Sequence, residues 1–335
     1  MGVKILKRVH AGNLVRFGAD KPDVLVLSAD LTSSCEADAF RDAYPDRFFS
    51  MGIAEQNMVA FGGGLAREGF VPYIHTFAVF LYRRALDQIA MSVAYPNLPV
   101  KLVGFLPGVT TPGGATHQAL EDIAVMRALP NMSVLEVGDA TEVENVLQIA
   151  YDIPGPVYIR MLRGELPRIF QTPMAFGKAR ILAEGDDLII VTSGLCTEEA
   201  LRTVTVLQNN GVEAALYHVS TLKPFDYPEI FEHIARSRWG AISLENHTIV
   251  GGLGSCLAEG MAERGIGKRL IRLGIRDRFL HGASRPYLMR EYGIDAAALL
   301  RAVERAAGKT LAVCAGDLGE GFLPALHSDA KPDAL

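Results

Sequence analysis

The sequence predicts an α/β protein with two doubly wound, mainly parallel-sheet domains. Short, continuous apolar runs alternate with helix-like stretches from end to end, which is typical of parallel strands covered on both faces. An aperiodic segment interrupts the alternation near the middle, and 335 residues correspond to about two domains. We therefore predict domains at residues 1–165 and 181–308, a linker at 166–180 and a tail at 309–335.

The first predicted domain alternates strands of four or five residues with longer helices. Strands are predicted at 23–27, 100–103, 133–137 and 157–161. Helices are predicted at 55–67, 82–94 and 141–152. The last helix begins with a Thr-x-x-Glu pattern, Thr141 with Glu144, which is typical of side chains that cap a helix N-terminus.

The second predicted domain follows a segment that carries Pro167 and Pro173 and has no periodic pattern. Strands are predicted at 188–192, 213–219, 240–244 and 269–273, and helices at 197–208 and 254–263. From about Lys309 onward the chain contains Gly, Pro and Asp without periodicity, so we predict no regular element there.

Charge and composition exclude several classes of protein. With 33 basic and 38 acidic residues the net charge is −5, and no basic cluster suggests a nucleic-acid surface. Hydrophobic residues make up 49% of the chain, which excludes general disorder, yet no apolar run approaches the ~20 residues of a membrane helix. We expect the apolar excess to be buried in two cores and in a subunit interface.

Cysteine usage and the N-terminus predict a cytoplasmic protein. The four cysteines are far apart and form no CxxC pair, so we expect reduced thiols rather than metal ligands or disulfides: Cys35, Cys196, Cys256 and Cys314. The first residues, Met1 to Arg8, contain no apolar signal core.

Three stretches place reactive residue types where ligands bind in parallel α/β sheets, at the carboxyl ends of strands. They are residues 28–34, 52–58 and 113–118. On residue chemistry alone the first is better explained as a turn and helix cap, because Ser, Thr and Asp favour both. In the second, Glu55 is either an acid–base group or a partner of the helix dipole.

Two glycine-rich stretches accompany these residues. Gly62–Gly64 lies inside a predicted helix, where each glycine costs about 1 kcal/mol relative to alanine, so we expect a helix or a ligand to approach closely. His117 follows a glycine loop, where it is either a structural histidine or a catalytic hydrogen-bond donor. Residue chemistry alone therefore predicts a two-domain α/β enzyme with Glu55 and His117 as acid–base residues.

Ordered motifs over residues 5–305 resemble the transketolase family, specifically its C-terminal half, which many bacteria and archaea encode as a separate subunit. The motifs include Ser-Ala-Asp-Leu at 28–31, Gly-Ile-Ala-Glu-Gln-Asn-Met at 52–58, Ala-Thr-His-Gln-Ala-Leu-Glu-Asp at 115–122, Thr-Leu-Lys-Pro-Phe-Asp at 221–226 and Gly-Gly-Leu-Gly-Ser at 251–255. The 1-deoxyxylulose-5-phosphate synthases are similar in the same segments.

The resemblance implies a pyrimidine-binding domain, a transketolase C-terminal domain and thiamine diphosphate as cofactor. It implies that Glu55 is the catalytic glutamate that hydrogen-bonds N1′ of the aminopyrimidine ring, and burial is expected to favour its protonated form. Phe77 and Phe80 match aromatic residues that pack on this ring, although both could be core residues. Asp30 matches a cofactor-proximal aspartate.

The resemblance also implies a substrate site. His117 matches a catalytic histidine that contacts substrate oxygens. Arg8, Ser34 and Arg163 match positions that bind a substrate phosphate, a role that suits the forked guanidinium. Arg160 and Arg163 together resemble two arginines of the synthases.

One departure from the family pattern predicts a partner subunit. The family's diphosphate and magnesium motif, Gly-Asp-Gly followed some thirty residues later by Asn, is absent, and the nearest string is Gly-Asp-Leu-Gly at 316–319. We therefore expect no metal ligands in this chain and a separate N-terminal-type transketolase subunit that holds Mg²⁺ and the diphosphate. The family arrangement then predicts an A2B2 heterotetramer.

A second departure concerns the donor substrate. Leu106 stands where the family usually has a histidine, and a Glu-Asp pair is missing before Ala115. Because those polar groups bind donor hydroxyls, we expect an unusual sugar phosphate donor, such as apulose 4-phosphate. The alternatives are a decarboxylating thiamine diphosphate enzyme, of the deoxyxylulose synthase or 2-oxoacid dehydrogenase E1 β type, and a non-catalytic partner.

Overall fold

The computed structural model describes residues 3–313 and 315–321 and confirms the predicted fold class. The strands are β1 (Ile5–Lys7), β2 (Val24–Ser28), β3 (Phe48–Ser50), β4 (Val71–Phe77), β5 (Lys101–Phe105), β6 (Ser133–Glu136), β7 (Val157–Met161), β8 (Glu165–Pro167), β9 (Ala179–Asp186), β10 (Leu188–Thr192), β11 (Ala214–Val219), β12 (Thr221–Lys223), β13 (Ala241–Thr248) and β14 (Leu270–Ile275). The α-helices are α1 (Val9–Ala19), α2 (Asp38–Ala43), α3 (Glu55–Arg67), α4 (Ala78–Gln88), α5 (Asp122–Ala128), α6 (Ala140–Asp152), α7 (Cys196–Asn209), α8 (Pro228–Arg236), α9 (Leu253–Glu263), α10 (Arg285–Glu291) and α11 (Ala296–Ala307).

The first sheet has seven strands in the order β12-β6-β7-β5-β4-β2-β3, all parallel except β12. Strands such as β2 and β5 are buried along their whole length, as expected for a sheet covered on both faces. The chain places β3 on one side of β2 and β4 on the other, so the strand order reverses at β2. The carboxyl ends of β2 and β4 flank this switch point, where open α/β sheets bind ligands.

The second sheet has five strands in the order β14-β13-β10-β11-β9, with β9 antiparallel to β11. One face of the second sheet, which includes Ile189 and Val191, packs in the same hydrophobic cluster as the first sheet. Its other face, which includes Ile190 and Leu216, packs in a second cluster. The short strand β12 follows β11 in the chain but pairs with β6 of the first sheet, so the two halves of the chain are joined by backbone hydrogen bonds.

The predicted capping of α6 by Thr141 and Glu144 is wrong. Asp139 is the N-cap residue, and its Oδ1 accepts the backbone N–H of Glu142 at 2.9 Å. The hydroxyl of Thr141 instead donates to the carbonyl of Phe170 at 2.6 Å. A short carboxylate one residue before the helix reaches the free N–H groups directly, so the helix begins at 140 rather than 141.

The predicted helix at 82–94 differs from the structure at its start and in its geometry. Helix α4 begins at Ala78, immediately after β4, and Ala85 has a non-helical φ of −121°. A π-helical segment, Ile89–Ala94, continues it. The early start matters for the site because it brings a full helical turn, including Phe80, next to the end of β4.

The remaining segments also refine the sequence-based expectations. Two strands occupy the ends of the predicted linker: β8 pairs with β1, and β9 begins at Ala179. The prediction that no regular element follows Lys309 is wrong, because Ala315–Leu318 forms a 3₁₀ turn. Leu318 of this turn is buried in the second hydrophobic cluster. Cys314 and residues 322–335 of the predicted tail lie outside the described residues. Within the described part of the chain, no helix has the length and apolar character needed to span a membrane.

Candidate active site

Glu55 is the first residue of α3, and its carboxyl group belongs to a cluster of contacting side chains with Arg84, Phe80 and Phe77, which we call the candidate pocket. Its side chain is 3% exposed, and its Oε1 accepts a hydrogen bond from Nη1 of Arg84 at 2.6 Å. The N-terminus of a helix favours an acidic residue electrostatically. The structure therefore gives this buried acid both a helix end and an arginine partner.

Two phenylalanines form the aromatic wall of the pocket. Phe77 ends β4 and is fully buried, whereas Phe80 lies in the first turn of α4 and is partly exposed. Their ring centroids are 5.7 Å apart and the rings are nearly parallel, at 29°. Arg84, one turn after Phe80, places its guanidinium carbon 3.9 Å from the Phe80 centroid. Arg84 therefore contacts both Phe80 and Glu55.

His117 reaches the same wall from a different loop. Its ring meets Phe80 edge-on with centroids 5.3 Å apart, and its Nδ1 lies 2.8 Å from the hydroxyl of Thr116. Among the described residues, its Nε2 has no hydrogen-bond partner. Arg83 supports this loop, because its Nη1 donates to the carbonyl of Ala115 at 2.8 Å. The structure thus brings Glu55 and His117 to one aromatic wall.

The three sequence-predicted phosphate ligands lie close to one another along the chain's contacts, and Arg163 is the one beside Phe77. Nη1 of Arg163 donates to the carbonyl of Ser34 at 2.8 Å, and its guanidinium carbon is 5.7 Å from the Phe77 centroid. The backbone N–H of Arg8 donates to the carbonyl of Gly164 at 3.0 Å. Burial lowers the pKa of Arg163, so anion binding would relieve a poorly solvated charge.

Two carboxyl groups lie next to Arg8 and Arg163. The guanidinium of Arg8 pairs with Asp38. The carboxyl group of Glu36 accepts the backbone N–H of Gly164 at 2.7 Å, and burial raises its pKa. Asp30 is exposed just after β2, with a left-handed φ of 61°, and no described hydrogen bond or ion pair joins it to the other predicted site residues.

Arg160 does not line the pocket, although the sequence resemblance grouped it with Arg163. Its side chain is completely buried and forms ion pairs with Asp122 at 2.7 Å and Glu136 at 2.5 Å. It also donates to the backbone carbonyl of Asn246 at 3.1 Å. Arg160 therefore joins the two halves of the chain, whereas Arg163 is partly exposed.

The loop expected to determine donor choice is fixed by the second half of the chain. Oδ1 of Asn246 accepts the backbone N–H of Val109 at 2.9 Å, and its Nδ2 donates to the carbonyl of Pro107 at 3.1 Å. Gly108 has a φ of 57°, and a Cβ there would lie 2.2 Å from Asn246, so only glycine fits. Leu106 is buried at the start of this loop and contributes no polar group.

Comparisons with known proteins identify the family. A family model described as "Transketolase, pyrimidine binding domain" matches residues 8–168, and one described as "Transketolase, C-terminal domain" matches residues 177–299. The chain belongs to the transketolase family. Members of this family use thiamine diphosphate, and the predicted family resemblance is confirmed.

Relatives within the transketolase family include separately encoded halves. A putative transketolase C-terminal section from Methanocaldococcus jannaschii is 36% identical over 90% of this chain and 95% of its own length. A 6-deoxy-6-sulfo-D-fructose transketolase subunit from Clostridium sp. is 35% identical over 89% of this chain and 92% of its own length. A solved structure described as a split-gene transketolase, inactive β4 tetramer, is 37% identical with a TM-score of 0.82. The match covers 90% of this chain and 97% of the solved one.

The synthases named by the sequence resemblance are more distant. Several 1-deoxy-D-xylulose-5-phosphate synthases are 31–34% identical, and this chain spans only 45–47% of their length. Their sequence likeness to this chain is therefore confined to about half of each synthase.

The pocket fits the aminopyrimidine ring of the family's cofactor. That ring is planar and needs a stacking surface and an acid at its edge. Arg84 shows that one planar group can use both: its guanidinium carbon lies 3.9 Å from the Phe80 centroid while its Nη1 lies 2.6 Å from Oε1 of Glu55. Among residues 3–313 and 315–321, no group of three or more His, Cys, Asp or Glu side chains is placed to hold a metal ion.

Sequence reasoning missed Arg83, Arg84 and Glu36. Arg84 follows Phe80 by four residues, so a helix that starts at Ala78 places both on one face. The four-residue spacing is present in the sequence. It was not recognised as helical, because the first turn of α4 is apolar and resembles a continuation of β4.

Proposed function

We propose that this chain is the C-terminal subunit of a two-subunit transketolase that transfers a two-carbon ketol unit between sugar phosphates. The observation that carries this proposal is the convergence of Glu55, Phe80 and His117 on one pocket beside the Arg163 cluster. A cofactor site and a phosphate site placed side by side are what a ketose phosphate substrate requires.

When bound, thiamine diphosphate supplies the nucleophilic carbon that attacks the carbonyl group of the donor. Glu55 would hold a proton at the ring nitrogen N1′, while Phe80 stacks on the ring and Phe77 supports it. Asp30, just after the end of β2, is proposed to lie next to the bound cofactor. His117 would hydrogen-bond the substrate oxygens through Nε2, since Thr116 engages Nδ1.

Arg163, Ser34 and Arg8 are the proposed ligands of the substrate phosphate. A guanidinium group binds tetrahedral oxyanions through paired, charge-assisted hydrogen bonds. The Clostridium relative is named for a sugar that carries a sulfo group, which presents similar oxygens. The proposed donor is therefore a sugar phosphate or a close oxyanion analogue.

We propose that an N-terminal-type transketolase subunit completes the site and holds Mg²⁺ and the diphosphate in an A2B2 heterotetramer. The family's Gly-Asp-Gly…Asn motif is missing from the sequence. Several large apolar side chains of the first half are exposed, including Ile53, two residues before Glu55, and Met91 and Tyr95 after α4. Exposed apolar surface of this kind is typical of a protein interface.

The proposed donor is unusual because Leu106 replaces a polar donor-binding residue. A buried leucine cannot satisfy a sugar hydroxyl, which favours a branched or deoxy sugar phosphate such as apulose 4-phosphate. Asn246 holds this loop through backbone hydrogen bonds, so the loop cannot easily rearrange to supply another group.

Reconstitution tests the proposal. The chain is co-expressed with an N-terminal-type transketolase subunit from the same genome and supplied with thiamine diphosphate and Mg²⁺. We expect ketose phosphates to lose two carbons to an aldose acceptor, no steady-state release of CO₂ from pyruvate, and no activity from either subunit alone. Sustained CO₂ release would instead establish the decarboxylating alternative. A complex that binds cofactor but turns over no donor would establish the non-catalytic one.

A further inference from the structure

The ion pair between Arg84 and Glu55 occupies the position assigned above to the aminopyrimidine ring. Nη1 of Arg84 lies 2.6 Å from Oε1 of Glu55, and the guanidinium carbon lies 3.9 Å from the Phe80 centroid. The arginine thus uses both groups that the cofactor ring would use: the acid at its edge and the aromatic face.

The chemistry of the two groups is similar. A guanidinium is planar and cationic, stacks on aromatic rings and donates N–H groups in its own plane. An aminopyrimidine protonated at N1′ is also planar and cationic, stacks on the same kind of ring and donates an in-plane N–H to a carboxylate. One carboxylate oxygen and one ring face can therefore serve either group, but not both at once.

We propose that Arg84 is a placeholder that fills the aminopyrimidine pocket until the cofactor binds, and that it must leave for binding to occur. This inference rests on the proposed function. The Arg84 side chain is 43% exposed, so it can rotate into solvent, whereas the Glu55 side chain is 3% exposed and stays in place. The placeholder keeps a buried carboxylate from being left without a partner, a situation that costs free energy.

A second arginine shows what an ordinary stacked pair looks like in this protein. Arg264 lies 4.3 Å above the ring of Phe231 and 3.9 Å from Asp226, with a side chain 38% exposed. Asp226, however, is 80% exposed. That pair covers no buried acid, so its arginine has no pocket to fill. Arg264 is therefore a matched control for Arg84 in ring stacking, charge and exposure.

The test measures the dissociation constant of thiamine diphosphate for the two-subunit complex, by isothermal titration calorimetry in the presence of Mg²⁺. Because the cofactor no longer has to break a charge-assisted hydrogen bond, Arg84→Gln should bind about tenfold more tightly than wild type. Arg264→Gln should bind like wild type. Equal or weaker binding by Arg84→Gln would overturn the inference, because the arginine would then be neutral or helpful to the cofactor.

Two further measurements separate this inference from the proposed function. A double-mutant cycle with Arg84→Gln and Glu55→Gln, measured by urea unfolding of the isolated chain, should give a coupling of about fivefold in the unfolding equilibrium constant. Coupling without any change in cofactor affinity would reject the placeholder and leave the proposed function intact. If Phe80→Ala and Glu55→Gln both bind cofactor like wild type, or if the wild-type complex binds none, the proposed pocket is wrong and the inference fails with it.

Discussion

Two arginines near the carboxyl edge of the first sheet have contrasting surroundings. Arg160, in β7, is completely buried and is held by Asp122, Glu136 and two backbone carbonyl groups. Arg84, in α4, is held by one carboxylate and one aromatic ring, and almost half of its side chain is exposed. The first arrangement is closed on all sides, and the second is open to solvent.

The difference separates a structural ion pair from one in a binding pocket. Burial alone would lower the pKa of Arg160, but Asp122 and Glu136 outweigh this effect and hold the pKa above its ordinary value. The second oxygen of Glu136 accepts a hydrogen bond from Ser193 at 2.5 Å, which ties the network to the second half of the chain. A network with every donor engaged has no room for a ligand, whereas the Arg84 pair can be exchanged for one.

The largest expected effect comes from breaking the closed network. Arg160→Met would leave Asp122 and Glu136 as uncompensated buried charges, which costs about 3–5 kcal/mol of the free energy of unfolding. Urea denaturation measures this loss. As a control, Arg168→Met removes a partly exposed pair with Glu144 and should cost less than about 1 kcal/mol. Equal losses in the two variants would contradict the distinction between closed and open pairs.

The open pocket should show the opposite behaviour, a large loss of activity with little loss of stability. In the reconstituted complex, Glu55→Gln removes the carboxyl proposed to hold the proton at N1′, so kcat should fall about 10²- to 10³-fold. The free energy of unfolding of the chain should change by less than about 1 kcal/mol, because the amide of glutamine can still accept a hydrogen bond from Arg84, which is 43% exposed. Undiminished turnover would show that Glu55 is not catalytic.

Glu245, next to the closed network, should make stability depend on pH. Burial raises its pKa from 4.5 to about 8, although the backbone N–H groups of Leu253 and Gly254 oppose the rise, and Glu136 adds to it. The folded chain therefore retains a proton that the unfolded chain has lost between these two values. Stability is greatest below pH 4.5 for this group and falls as the pH rises toward 8.

Urea denaturation between pH 5 and 8 checks this sign. As the pH rises over this range, the retained proton on Glu245 should lower the free energy of unfolding by up to about 1.4 kcal/mol per pH unit. The slope should be smaller in Glu245→Gln, which cannot titrate. His247, whose Nδ1 lies 3.8 Å from Glu245, has a pKa lowered to about 4 by burial and stays neutral in this range. An unchanged slope in the variant would assign the pH dependence to another group.

The smallest expected effect concerns the proposed phosphate site. Arg163→Lys keeps the charge but loses the forked geometry, so the KM for a phosphorylated donor should rise about tenfold. The KM for an unphosphorylated ketose should not change, which is the internal control of the steady-state assay. A parallel rise for both donors would indicate that Arg163 supports the pocket instead of binding phosphate.

The fold was largely predictable, because strands that are buried on both faces appear in the sequence as short, continuous apolar runs. The apolar run at 188–192 coincides with β10. Strand β13, in contrast, continues beyond its predicted end at 244, because Glu245, Asn246 and His247 are polar yet completely buried. The partners of Asn246 lie in the distant loop at Pro107 and Val109, which a local pattern cannot reveal.

The site was predictable only in part, for a related physical reason. Glu55 and His117 stand in motifs and could be identified from their neighbours in the sequence. The ion pair between Glu55 and Arg84 depends on where α4 begins, and the apolar first turn concealed that start. Arg160 was grouped with Arg163 by the resemblance to the synthases, although the alternation of side chains along and beyond β7 sends the two to different surroundings.

Strand β12 has a consequence for how this chain can be divided. A fragment that stops in the segment between β8 and β9 would lack β12 and expose the backbone of β6 as a new sheet edge, a template for aggregation. During synthesis the first sheet also stays incomplete until Lys223 has emerged. Hybrid enzymes that exchange second halves between relatives should therefore carry the native 221–223 segment together with the first sheet.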